Sequence, residues 1–102
     1  MKAYRYIAEA DREFQEHISY FDAISRTVAR KFVADVEAAV TELRHYPQIG
    51  APLIREVRKR VLTAFPYSIL YVETPSEILI VAIAPHRRRP GYWRKRLRDV
   101  RR

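Results

Sequence analysis

A run of seven apolar residues, Ile78-Leu79-Ile80-Val81-Ala82-Ile83-Ala84, constrains this chain more than any other stretch. It shows no polar alternation, so it reads as a strand covered on both faces. It ends abruptly in Pro85-His86-Arg87-Arg88-Arg89-Pro90, and Gly91-Tyr92-Trp93 closes the segment. One imidazole and three guanidinium groups therefore stand where the strand leaves the core. Any function is expected to run through that junction.

The remainder supplies the layers around this strand. Lys2 to Ile7 alternates and is rich in aromatic residues, a short strand with Ala3, Arg5 and Ile7 on one face and Tyr4 and Tyr6 on the other. From Glu9 the period changes. Ala10, Phe14, Ile18, Phe21 and Ile24 recur at helical spacing behind an acidic first turn of Glu9, Asp11 and Glu13. Ser25 caps a second helix with the stripe Val28, Phe32, Val36, Val40 and Leu43, broadened by Val33 and Ala39. Pro47, Gly50 and Pro52 end it. The connection between the helices is so short that they should form an antiparallel hairpin.

Residues 54–62 read as a basic strand, with Val57, Lys59 and Val61 on one face and Arg58, Arg60 and Leu62 on the other. Phe65-Pro66-Tyr67 turns the chain into a strand from Ser68 to Val72. Thr74-Pro75-Ser76-Glu77 is a tight turn that joins it to the apolar run as an antiparallel hairpin. Trp93, Leu97 and Val100 mark a short C-terminal helix over residues 93–102 with a basic outer face. The order β-αα-βββ-α predicts an α+β fold. Its N-terminal strand and helical hairpin pack on an antiparallel sheet.

A chain of 102 residues is expected to form one domain, residues 1–102, with a core that needs no staples. With no Cys, a thiol nucleophile, a disulfide and a zinc–thiolate site are excluded, in keeping with a reducing cytoplasm. No signal-like segment opens the chain, and no apolar run is long enough to cross a membrane. The net charge of +8 is unevenly placed: residues 1–50 carry −1 and residues 51–102 carry +9. That asymmetry points to an acidic partner.

Among the three His residues, His17 and His45 read as structural or surface groups, and neither belongs to a metal-ligand pattern. His86 reads either as a strand-end anchor or as an acid–base group. On an alternating backbone Arg87 and Arg89 share a face while Arg88 points away; with Lys59 and Arg60 nearby they would form a basic concavity for phosphates or carboxylates. Tyr67, Tyr71, Tyr92 and Trp93 are interleaved with this charge, and packing explains Tyr71 and Trp93 better than stacking on bases. No phosphate-binding Gly-rich loop, dinucleotide turn or nucleophile elbow occurs, and paired carboxylates are absent from the second half. No cofactor and no metal is expected.

Several of these pieces, in this order, resemble the RelE/ParE superfamily of type II toxins, also called plasmid-stabilisation proteins. They are Leu43 followed by Pro47-Gln48-Ile49-Gly50, then Phe65-Pro66-Tyr67 leading into Ile69-Leu70-Tyr71, and last the apolar strand with His86-Arg87-Arg88-Arg89-Pro90-Gly91-Tyr92-Trp93. The resemblance implies a small cytoplasmic toxin held in a hetero-oligomer by a cognate antitoxin. One branch, like RelE, cleaves messenger RNA on the ribosome without a metal; the other, like ParE, poisons DNA gyrase. For the nuclease branch the resemblance maps Arg87, Lys59 and Tyr92 (or Trp93) onto its basic residues and tyrosine; in that reading the chemistry of His86 suits a general acid. The arginine that this branch carries at the start of the preceding strand is Ser68 here. That difference, together with the Phe65-Pro66-Tyr67 and Pro90-Gly91-Tyr92-Trp93 signatures, favours the ParE-like branch, a binding inhibitor with Arg87, Arg89, Arg60 and Trp93 as target-binding residues. A non-toxic RNA-binding module is the further alternative.

Overall fold

The computed structural model describes the backbone of residues 1–100 and the side chains through Arg98. Strand β1 (Ala3–Tyr6) leads into helix α1 (Ala8–Ile24) and helix α2 (Arg26–His45). Four strands follow: β2 (Ala51–Ile54), β3 (Val57–Val61), β4 (Tyr67–Glu73) and β5 (Glu77–Pro85). A 3₁₀ turn (Arg94–Arg96) and helix α3 (Leu97–Val100) close the chain. The sheet order is β1-β5-β4-β3-β2, and β2 to β5 are antiparallel neighbours. This is the α+β arrangement that the apolar periods imply.

The helical hairpin turns on one residue. Ser25 is extended (φ −164°, ψ 125°), and its hydroxyl accepts the Val28 N–H at 3.3 Å. That capping bond satisfies a free donor at the start of α2. The hairpin buries Ala10, Phe14, Phe32, Val36, Val40 and Leu43 against one face of the sheet. Phe32 is the hub, with ring centroids 4.9 Å from Phe21, 4.9 Å from Tyr67 and 5.3 Å from Phe65. Ile24, counted in the stripe of α1, is instead exposed at the hairpin tip.

Two features of the sheet differ from expectation. First, β1 pairs in parallel with β5, Ala3 opposite Glu77 and Tyr6 opposite Ile80, so the sheet is mixed. Parallel neighbours require a crossover, and the two helices begin it. Second, the basic strand expected over 54–62 is two strands. Ile54 belongs to β2, which the sequence reading missed, and the chain reverses at residues 55–56 before Val57. Pro52 conceals β2, because proline argues against a central strand; on an edge its missing donor costs nothing. The turn carries no Gly or Asn signal either. Arg55 itself takes the left-handed conformation at φ 51°.

The Thr74–Glu77 turn forms as expected. Thr74 N–H donates to the Glu77 carbonyl at 2.8 Å, and the Thr74 hydroxyl accepts the Glu77 N–H at 3.1 Å. At the C-terminus Trp93 and Leu97 are buried in the core, as their spacing implies, while the Val100 side chain lies outside the described residues.

Candidate binding groove

Side chains alternate across a strand, so β4 divides its residues between two layers. Tyr67, Ile69 and Tyr71 share the face on which the hairpin packs, and Ser68 and Leu70 take the other. Cross-strand register sets Lys59 beside Leu70, Val61 beside Ser68, and Ser68 beside Ala84. The chain then leaves β5 and folds back, from Pro85 to Arg94, beside this second face. The result is a groove of about 470 Å³. Its apolar part is Leu53, Val61, Leu70, Ala84 and Trp93, and Lys59, His86, Arg88, Arg89 and Arg94 stand around it. Among the described residues no carboxylate lines it.

The wall of this groove is held by a buried carboxylate, Glu13, that its local sequence marks only as part of a helix first turn. Between β4 and β5 the register slips, with Leu70 opposite Ala82 but Tyr71 opposite Ile80, so Val81 is an extra residue. Such a bulge leaves backbone groups without ladder partners. Glu13 of α1, 5% exposed, accepts the Ile83 N–H at 2.9 Å, and Arg96 Nη1 donates to the Val81 carbonyl at 3.0 Å. Arg96 also donates to both oxygens of Glu13, at 2.9 and 3.2 Å, and the Tyr92 hydroxyl donates to Oε2. One carboxylate thus joins α1, the bulge in β5 and the C-terminal segment. It was detectable in principle: position 13 lies three residues from Ala10 and beside Phe14, inside the apolar stripe. A charge there needs a buried partner.

Burial, and then the bond to Glu13, hold the Tyr92 hydroxyl far above the usual phenol range. It is a committed donor. Its ring carries the Arg88 guanidinium at 3.9 Å and the Arg96 guanidinium at 5.1 Å from the centroid. Arg88 Nη1 also lies 3.8 Å from Glu13 Oε2. The Arg88 guanidinium is therefore held against an aromatic ring, with 53% of its side chain still exposed.

The expected site residues separate into groups. Lys59, His86 and Arg89 meet at the groove. The Ser68 hydroxyl and His86 Nε2 are 2.8 Å apart, and the His86 backbone N–H donates to the Pro66 carbonyl at 2.9 Å, so His86 anchors the strand end. The expectation that Arg87 and Arg89 share a face while Arg88 points away does not hold. Residues 86–88 turn instead of continuing the strand, which brings Arg88 and Arg89 to the groove. Arg87 lies beside Tyr20, Phe21, Phe65 and Tyr67 in a separate hollow of about 400 Å³. Arg60 lies apart as well: it alternates to the helix side, where it pairs with Glu42 of α2 at 3.0 Å. Trp93, at 5% exposure, forms part of the groove from within the core and offers no free face for stacking.

His17 is half-buried and His45 is exposed, within the structural or surface places expected of them. His45 Nδ1 lies 3.0 Å from the Thr41 carbonyl, and His17 Nδ1 lies 3.1 Å from the Tyr67 hydroxyl. Burial lowers the His17 pKa, against the pull of Glu13 and Glu16 and with help from Arg88 and Arg87. The unfolded chain therefore binds a proton at this site more readily than the folded one. The stability that His17 contributes is present above its unfolded pKa, about 6.5, and is lost as pH falls toward the folded value. Urea unfolding near pH 7 and near pH 5 should show this acid-side loss reduced in His17→Gln, which still accepts the Tyr67 hydroxyl. An unchanged pH dependence in the variant would assign the loss to other groups.

Among the described residues no helix is long and apolar enough to cross a membrane, and no cluster of three or more His, Asp or Glu could hold a metal. No curated protein matches the chain. Solved structures do. One, titled "Chromosomal ParDE TA system from P. aeruginosa", superposes with a TM-score of 0.72 over 83% of this chain and 96% of that one, at 22% identity. At that identity the likeness is one of fold. The sequence itself matches the family described as "ParE toxin of type II toxin-antitoxin system, parDE" over residues 4–90. That span runs from β1 to the Arg-rich turn and takes in the hairpin, the Pro47–Gly50 exit and the Ser68–His86 contact. On a match of that extent, the chain belongs to the ParE toxin family of type II toxin–antitoxin systems.

Proposed function

We propose that this protein is the toxin of a type II toxin–antitoxin pair, that it arrests growth by poisoning DNA gyrase, and that a cognate antitoxin neutralises it in a hetero-oligomer in the cytoplasm. The observation that carries this reading is the 2.8 Å contact between Ser68 and His86. A nuclease of the superfamily is expected to place a phosphate-binding arginine at that position. A neutral hydroxyl there forgoes electrostatic stabilisation of the pentavalent phosphate, a contribution of about 3–4 kcal/mol when one such donor is lost. The Tyr92 hydroxyl is also committed, to Glu13. What remains is a cationic surface held in shape by buried groups, which suits recognition better than proton transfer. An antitoxin tail would cover this rim or the β2 edge as a helix or an added strand.

Purified protein added to gyrase is expected to block supercoiling and to accumulate cleaved DNA. Normal supercoiling at excess toxin would overturn the reading. The nuclease alternative draws on one observation, that Lys59 and His86 reach the same groove. It requires messages cut in a translation extract with 2′,3′-cyclic ends, and intact messages would remove it.

A further inference from the structure

We infer that the groove on the sheet face away from the hairpin binds single-stranded DNA, with the phosphates at its cationic rim and a base against the Arg88 guanidinium. The inference deepens the gyrase reading, since it names the partner that the toxin would touch in a gyrase–DNA complex.

Four observations carry it. First, Lys59, Arg88, Arg89 and Arg94 surround one hollow that, among the described residues, no carboxylate lines. Among the described residues, Lys59, Arg89 and Arg94 make no ion pair, so their charges are not spent within the fold. Second, Arg88 is set in advance. It lies 3.9 Å over the Tyr92 ring, whose hydroxyl is tied to buried Glu13, and half of its side chain is open to solvent. A guanidinium steadied against an aromatic ring and half open to solvent is positioned to meet a base, by stacking or through its N–H groups, and to reach phosphate. Third, the hollow is concave, small and partly apolar, with Val61, Leu70 and Ala84 behind the cations. That shape takes an unpaired nucleotide, whereas a duplex presents a convex surface of phosphates. Fourth, three of the cations lie on one segment, Arg88 to Arg94, and Lys59 lies on β3, so the positive charge reaches the groove from two separate elements.

The test measures binding of a fluorescein-labelled single-stranded DNA oligonucleotide of mixed sequence to the purified full chain, without gyrase. For about four phosphate contacts on a single strand, affinity should fall about 50-fold between roughly 50 and 200 mM salt. Arg88→Ala and Lys59→Ala should each weaken binding several-fold and lower the salt slope by about 0.7. Arg87→Ala removes the same charge from the separate aromatic hollow and should leave both nearly unchanged. Circular dichroism of each variant establishes that it is folded. Equal losses in Arg87→Ala and Arg88→Ala would show diffuse attraction to a basic protein and overturn the inference. So would tighter binding of the matched duplex, of an RNA of the same sequence or of a poly-glutamate peptide of matched charge. If the oligonucleotide fails to bind but supercoiling is still blocked, the groove inference falls and the gyrase reading stands. If it binds but gyrase works normally, the gyrase reading falls and the groove inference stands.

Discussion

Glu13→Ala is expected to lower the free energy of unfolding by about 3–5 kcal/mol, the range for removing one partner of a buried ion pair. The magnitude rests on what the substitution leaves behind. Arg96, with 15% of its side chain exposed, loses both carboxylate oxygens, and the Ile83 N–H and the Tyr92 hydroxyl lose their acceptor. The orphaned buried donors, at about 1–3 kcal/mol each and partly offset where water enters, are part of that total. Glu13→Gln keeps one acceptor oxygen and should cost less. Removing both charges together, as Glu13→Leu with Arg96→Met, should recover much of the loss, because it takes away the unpaired charge as well as the pair. Urea unfolding by linear extrapolation measures all three variants. A loss below about 1 kcal/mol in Glu13→Ala would mean that the network contributes little to holding the C-terminal segment.

Gly50→Ala should be the second most damaging change, at about 3 kcal/mol, the upper end for overpacking a core. A methyl group on Gly50 would stand 2.6 Å from the Tyr71 hydroxyl oxygen and 2.8 Å from Cε1 of its ring. Tyr71 cannot withdraw, because it is fully buried. Its hydroxyl accepts the Gly50 N–H at 2.9 Å and donates to the Pro47 carbonyl at 2.8 Å, so it fastens both ends of the Pro47–Gly50 turn. Arg58 adds a bond to the Gly50 carbonyl at 2.8 Å. Gly50 is required here for proximity, not for a special backbone angle. Tyr71→Phe removes the nearest clashing atom along with its two bonds, so the double variant should lose less than the sum of the single ones. For a domain of this size, 3 kcal/mol corresponds to a fall in Tm of roughly 12–24 °C, readable by circular dichroism. Additive losses would show that the methyl is accommodated by movement of the turn and not by contact with Tyr71.

These two residues also mark where sequence reasoning stopped. Gly50 was visible as part of a Pro-x-x-Gly exit from α2, but the reason for it lies on β4, twenty-one residues away. Glu13 was visible as an acidic residue near a helix start. Its partners lie 70 and more residues further on, and nothing local distinguishes a solvated carboxylate from one that caps a bulge. In both cases the sequence names the residue and the fold supplies its partner.

The arginine-rich turn follows the same rule. Arg87, Arg88 and Arg89 are adjacent and chemically alike, so alternation was the only local guide, and it assigned Arg88 to the wrong side. Alternation applies to a strand, and after Pro85 the strand has ended. Which arginine lies on Tyr92, which reaches the groove and which faces Phe21 and Tyr67 depends on how the turn seats against α1 and the C-terminal segment.

The sequence by itself determined the order of elements apart from β2, the helical hairpin, the doubly covered strand, the Thr74–Glu77 turn, the basic second half and the family. Each is written in short-range signals: an apolar period, a cap, a proline, a run of charge. Only the tertiary structure decided that β1 lies parallel to β5, that β2 exists behind Pro52, that Ser68 meets His86, and that Lys59 shares a groove with Arg88 and Arg89 but not with Arg87 or Arg60. Those are relations between residues far apart in the chain. They follow from strand register and from the way buried polar groups must find partners, neither of which any local stretch of sequence contains.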